Sequence, residues 1–143
     1  MDKFIYLILI CTLFTGIFQS SNGQEKSGYT NLSPEEFYVK MNEKPGAVVL
    51  DTRLEPDYNE KRISGAHLVS GKDMLLSFVD TLAKDIPLFV YCYDGDRSKT
   101  ACKILTRQLN FYNVYNLKEG IELWKKMNLP VDNKPTGIRK DEK

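Results

Sequence analysis

Histidine is nearly absent from this chain: 143 residues include one, His67, alongside three cysteines. A histidine-rich metal cluster needs several imidazoles at ligand spacing, and a nucleophile with its own imidazole base needs a recognisable partner. Neither pattern is present, so a metal site and triad chemistry are not expected, and His67 reads as a strand-end residue. Cysteine is almost as scarce. Cys11 lies in the apolar N-terminal run, which leaves Cys92 and Cys102, too few for a disulfide framework in a domain of this size. The domain is therefore held by its core, and either thiol is free for another use. An excess of one charge is lacking too. The 20 Lys and Arg against 19 Asp and Glu leave a net charge of +1, with no footprint for nucleic acid or an acidic membrane. No repeat or low-complexity segment occurs.

Long apolar runs are missing except at the start. Phe4 to Phe18 (FIYLILICTLFTGIF) follows Lys3 and precedes the polar QSSNGQEKSG. The run is shorter than the roughly 20 residues that span a bilayer. A charged start, an apolar centre and small residues at Ser21 and Gly23 predict a secretory signal peptide over 1–23, cleaved after Gly23. The mature domain would then be exported, periplasmic or secreted. Retention as a membrane anchor is the alternative, and only then does the chain meet a membrane. The residues before Cys11 are bulky, so it belongs to the apolar run rather than to a lipid-attachment site.

What remains has the make-up of one soluble domain, the whole chain being 42% hydrophobic and 27% charged. Residues 24–29 form a leader. Ser33-Pro34-Glu35-Glu36 predicts a helix start: Ser33 caps, Pro34 fits the first turn and Glu36 closes a capping box. Phe37 and Met41 follow at helical spacing, and Lys44-Pro45-Gly46 ends the element. Short continuous apolar runs at Ala47–Leu50, Leu88–Tyr91 and Asn113–Leu117 fit strands buried on both faces. Amphipathic stretches lie at Met74–Ala83, Lys99–Leu109 and Ile121–Met127. Such alternation predicts an α/β domain with a mostly parallel sheet. The charged segment 132–143 reads as a flexible tail.

Open parallel sheets form their sites at the carboxyl ends of strands. Cys92 stands there, directly after Leu88-Phe89-Val90-Tyr91. Gly95 lets the next backbone turn its amides inward, and a helix is expected from Arg97 or Ser98, with Ala101, Ile104, Leu105 and Leu109 on its apolar face. Loop N–H groups and a helix N-terminus surround the cysteine with positive potential, which favours the thiolate. Arg97 adds a planar donor fork suited to an oxyanion, and Ser98 can cap the helix or donate to the same anion. A buried structural thiol is the competing reading for Cys92, and a solvated charge that for Arg97. Cys102, among Ala101, Ile104 and Leu105, reads as a small core residue; the alternative is a resolving thiol for Cys92. Asp51 and Arg53 read as an ion pair supporting strand ends rather than as catalytic groups. Trp124 is expected in the core, and Tyr93 at the pocket mouth.

The loop Cys92-Tyr93-Asp94-Gly95-Asp96-Arg97-Ser98 resembles the C-x-x-G-x-R-S active-site loop of rhodanese-like sulfurtransferases. Val49-Leu50-Asp51-Thr52-Arg53 resembles the family's Asp-x-Arg strand, and Asp57-Tyr58 with Ile63-Ser64-Gly65-Ala66 its next segment. Leu117-Lys118-Glu119-Gly120 with Trp124, Leu129 and Pro130 resembles its closing motif. The similarity covers about 30–131 in the right order. Lys61-Arg62 stands where the family has Gly-His, Glu119 replaces the first glycine of a pair, and Asn128 replaces the glycine before Leu129-Pro130.

The resemblance implies a three-layer fold with a central sheet flanked by helices, and a sulfurtransferase without metal or organic cofactor. It implies that Cys92 takes a sulfane sulfur from thiosulfate or a persulfide and passes it to a small thiol, cyanide or a protein thiol, with residues 93–98 cradling the anion. The loop from Cys92 to Arg97 is shorter than that of related dual-specificity phosphatases, which must wrap a phosphoryl group, so sulfur fits better than phosphate. Asp94 and Asp96 oppose a dianion such as thiosulfate. A non-catalytic protein-binding module, or a redox protein using Cys92 with Cys102, are the other readings.

Overall fold

The computed structural model describes residues 28–133. Seven strands and five α-helices alternate along them, with a π-helical turn after the fourth helix. In order they are β1 (Thr30–Leu32), α1 (Pro34–Glu43), β2 (Val48–Asp51), α2 (Glu55–Glu60), β3 (Arg62–Ile63), β4 (His67–Leu68) and α3 (Lys72–Val79). Then come β5 (Leu88–Tyr91), α4 (Asp96–Lys103) running into the π turn Ile104–Gln108, β6 (Val114–Leu117), α5 (Gly120–Lys126) and β7 (Val131–Asp132). The first 27 residues, including the expected signal peptide, and residues 134–143 lie outside the described part.

Five strands form one sheet in the order β1-β6-β5-β2-β4, with every pairing parallel. The apolar runs explain its centre. On β5, Phe89 and Tyr91 face one cluster with Phe37, Tyr58, Ile121 and Trp124; Leu88 and Val90 face another with Leu75, Val79, Ala101 and Leu105. A strand buried on both faces needs apolar residues at consecutive positions, and β5 is wholly buried. Helices α1, α2 and α5 therefore cover one face, and α3 and α4 the other. This is the expected α/β architecture of three layers.

Local signals act where expected in α1. The Glu36 N–H donates to Ser33 Oγ at 3.3 Å, and the Ser33 N–H donates to the Glu36 carboxylate at 2.9 Å. Other boundaries shift. Helix α3 runs from Lys72 to Val79 rather than Met74 to Ala83, and the stretch expected to be helical over Lys99–Leu109 starts at Asp96 and passes into the π turn. There the Leu109 N–H reaches Ile104 O at 3.1 Å, and Asn110 follows at φ 59°.

Asp132, first residue of the expected tail, pairs with Arg62 in the small β3–β7 sheet. Its carboxylate accepts the Ser64 hydroxyl and the Gly65 N–H, each at 3.3 Å. Two hydrogen bonds and a strand partner give this residue a reason to stay in place that its charge alone does not reveal. His67 lies in β4, exposed, with its ring 5.0 Å from that of Phe78.

Candidate active site

The central strand β5 ends at Tyr91, which aims Cys92 at the carboxyl edge of the sheet. Gly95 adopts φ 97°, and helix α4 begins at once with Asp96. The backbone conformation of Gly95 thus makes the cap, and Ser98, one candidate for that task, has another. Its N–H and its hydroxyl both lie 3.4 Å from Cys92 Sγ, while the Gly95 N–H donates to the sulfur at 3.1 Å. The Ser98 hydroxyl also lies 3.1 Å from the Gly95 carbonyl, so its single proton is shared between two acceptors. Cys92 is 1% exposed, yet donors converge on its sulfur. That is the surrounding a sulfur anion needs, and an ordinary core thiol does not require it.

The two loop aspartates part company. Asp96 is bound to Lys99, Nζ to Oδ1 at 2.9 Å. Asp94 turns to the sulfur: its Oδ1 lies 3.7 Å from Sγ and also accepts the Asp96 N–H at 3.1 Å. That N–H, then the Cys92 thiol and the Arg97 charge, hold the Asp94 carboxyl below the usual range despite some desolvation, so it carries its charge at neutral pH. Arg97 is exposed and makes no ion pair among the described residues; it is one of the residues that line a cavity between α3 and α4. Tyr93 is exposed at the mouth, where its hydrogen bond to Glu122 raises the phenol's pKa and Lys125 lies 6.0 Å from its ring.

A second turn clamps the loop from behind. The Ile121 N–H donates to the Cys92 carbonyl at 2.9 Å, and the Glu122 N–H to that of Tyr93 at 3.3 Å. A Cβ on Gly95 would lie 2.0 Å from Lys118 O, and one on Gly120 2.1 Å from Tyr93 O. The β6–α5 turn and the cysteine loop are therefore in backbone contact, which only glycine permits at these points.

The departures from the family pattern fit this geometry. Glu119 has φ −98°, which any residue adopts. Asn128 takes φ 55° after α5, a left-handed position that asparagine tolerates. Arg62 is buried with its guanidinium 4.6 Å from the Tyr58 ring centre.

Asp51 and Arg53 form a buried pair, Nη2 to Oδ2 at 2.7 Å, and Arg53 also reaches Lys61 O at 2.6 Å. Burial alone would lower the Arg53 pKa, but the Asp51 hydrogen bond and charge outweigh it and hold the guanidinium protonated. No described hydrogen bond joins the pair to Sγ. Tyr91 completes the cluster. Its hydroxyl donates to Asp51 Oδ2 at 2.5 Å and accepts the Ile63 N–H at 3.1 Å. Burial, then the Asp51 charge, pushes its phenol well up, so it stays neutral. Tyr91 is the residue next to Cys92, and the sequence shows it only as the end of an apolar run; its hydroxyl was the available clue, a polar tip that a fully buried strand must satisfy. Cys102 is fully buried and free, and desolvation raises its pKa strongly. Among the described residues no group of three or more His, Cys, Asp or Glu is placed to hold a metal ion.

The family model for the rhodanese-like domain matches residues 33–127, a span that includes the cysteine loop and the β6–α5 turn that clamps it. The chain belongs to the rhodanese-like domain family. It is 34% identical over 99 residues to a thiosulfate sulfurtransferase GlpE of Pseudomonas fluorescens, covering 69% of this chain and 87% of that protein. To the protein of the same name from Pseudomonas entomophila it is 36% identical over 100 residues, with 69% and 87% covered. The solution structure of a rhodanese-like domain from the Anabaena Alr3790 protein superposes with a TM-score of 0.64 at 23% identity, covering 79% of this chain and 85% of that one. That last likeness is one of fold.

Proposed function

We propose that this rhodanese-family domain is a sulfurtransferase that carries sulfane sulfur as a persulfide on Cys92. The observation that supports it most is the convergence of the Gly95 and Ser98 N–H groups and the Ser98 hydroxyl on Sγ. In the first step the Cys92 thiolate attacks the outer sulfur of thiosulfate or a persulfide. A new S–S bond forms, the donor's own bond to that sulfur breaks, and sulfite or a thiolate leaves with the electron pair. In the second step a thiol, as its thiolate, or cyanide attacks the outer sulfur of the Cys92 persulfide. The Sγ–S bond breaks, and its electron pair returns to Sγ, where the loop donors receive it. Two separate half-reactions imply ping-pong kinetics.

The test is to incubate the protein with thiosulfate or a polysulfide and to look by mass spectrometry for one added sulfur on the peptide carrying Cys92. Cyanide should remove it with formation of thiocyanate. No adduct from any donor, with Cys92→Ser behaving like the native protein, would leave a non-catalytic binding module as the better account. The reading includes export of the domain, which rests on the apolar segment Phe4–Phe18. N-terminal sequencing of protein recovered from outside the cytosol, beginning at Gln24, checks it.

A further inference from the structure

The proposed chemistry leaves one group at the sulfur without a task. Asp94 sets its Oδ1 3.7 Å from Cys92 Sγ, and among the described residues no other charged side chain makes a hydrogen-bond contact with that sulfur. The second loop aspartate, Asp96, is matched by Lys99 at 2.9 Å. Asp94 is exposed and makes no ion pair among the described residues, Arg97 included. The Asp96 N–H, the Cys92 thiol and the Arg97 charge favour its ionised form, so a full negative charge stands beside the reacting atom at neutral pH. The Gly95 and Ser98 N–H groups and the Ser98 hydroxyl point at Sγ itself and suit an electron-rich sulfur there. Beside them Asp94 offers the opposite: a carboxylate open to a cation that arrives with the substrate. Covalent geometry brings the two within one ligand's reach. S–S bonds of about 2.05 Å put the inner sulfur of a donor, attacked in line at its outer sulfur, about 4–5 Å from Sγ. A short chain turned back from that inner sulfur carries its end group to the carboxylate.

We infer that Asp94 sets the charge class of the sulfur donor, and that the donor is the persulfide of an aminothiol whose protonated amine sits on a short chain. The inference rests on the sulfurtransferase reading and names the donor class for it. The ammonium pairs with the Asp94 carboxylate while the outer sulfur faces Sγ. The Cys92 thiolate attacks that outer S–H sulfur, and a Cys92–S–SH persulfide forms. The donor's S–S bond breaks, and the inner sulfur leaves with the bonding pair as the aminothiol's thiolate, which takes a proton from water. No oxidant or reductant is required. The same ammonium lies close to the leaving sulfur and offsets the charge that develops on it.

The test uses the persulfides of cysteamine, mercaptoethanol and mercaptoacetate, whose end groups are cationic, neutral and anionic on chains of similar length. The rate constant for gain of one sulfur on Cys92 is followed by mass spectrometry. Each is divided by the rate constant with N-acetylcysteine amide, a neutral thiol that removes differences in leaving group. In the native protein the normalised value for cysteamine persulfide should exceed that for mercaptoethanol persulfide about fivefold, with mercaptoacetate persulfide lowest. In Asp94→Asn the three values should fall within about twofold of one another. Raising salt from about 0.02 to about 0.5 M should compress the native order in the same direction, a readout that needs no variant. Equal values in the native protein overturn the inference, and so does an order that survives both Asp94→Asn and high salt. Loading without a charge preference overturns this inference alone, whereas a protein that takes no sulfur from any of the three overturns the sulfurtransferase reading with it.

Discussion

A Cβ built on Gly120 would stand 2.1 Å from the carbonyl oxygen of Tyr93, so the turn that opens α5 touches the cysteine loop backbone to backbone. Gly120 also holds φ 65°, which disfavours any side chain there. Gly120→Ala must move one segment away from the other, and the segment that yields carries the Sγ donors. The expected cost is about 2–4 kcal/mol, read from urea unfolding, with sulfur loading of Cys92 falling in the protein that remains folded.

Cys92 and Cys102 should behave as different chemical species. Cys92→Ser is expected to abolish sulfur loading with little change in fold. Cys102→Ala leaves a small void near Leu50, Val90 and Leu105, costs about 1 kcal/mol and leaves loading intact. Under mild oxidation no disulfide should join the two, because Cys102 is fully buried and desolvation keeps it protonated. Non-reducing peptide mapping checks this, and a Cys92–Cys102 disulfide would instead support the redox reading.

Tyr91→Phe removes a hydroxyl that serves Asp51 and the Ile63 N–H at once. Leaving both partners short of a hydrogen bond is expected to cost about 1–3 kcal/mol. The variant also separates a pH effect. The Tyr91 phenol is held well above its ordinary 10.0 in the folded protein. Its contribution is therefore fully present below pH 10 and is lost as pH rises above it, where the unfolded chain gives up the proton and the folded protein keeps it. Native protein should lose up to about 1.4 kcal/mol per pH unit above pH 10 from this group. Denaturant midpoints across that range should fall less steeply for Tyr91→Phe.

How much of this was legible beforehand depends on what each feature rests on. Strands β2 and β5 announce themselves because burial on both faces demands consecutive apolar residues, β6 less plainly because its run is broken by the buried Asn116, and α1 because Ser33 and Glu36 are capping chemistry at the right spacing. The cysteine loop is local in sequence, so its residue types suffice to suggest its use. By contrast β1, β3, β4 and β7 have two or three residues each and exist through their partners, too short for any period to show. The clamp by Gly120 and the Tyr91–Asp51 contact join segments far apart in the chain, and no local pattern reports a long-range contact. The different fates of Asp94 and Asp96 depend on side-chain direction within one loop, which spacing does not reveal.

Asp94→Asn isolates the charge nearest the sulfur. Its Oδ1 lies 3.7 Å from Sγ, and its carboxyl is held ionised by the Asp96 N–H, the Cys92 thiol and Arg97. An incoming dianion must pass that charge, so the native protein is expected to use thiosulfate slowly. Asparagine keeps an oxygen able to accept the Asp96 N–H, so the loop should hold its shape while the repulsion goes. The rate constant for loading from thiosulfate should rise roughly tenfold, whereas loading from a neutral polysulfane should change little. Added salt should speed the native protein with thiosulfate and have less effect on the variant, since screening and substitution weaken the same repulsion. An Asp94→Asn protein that loads from thiosulfate no faster than the native one would mean that the carboxylate does not govern donor choice.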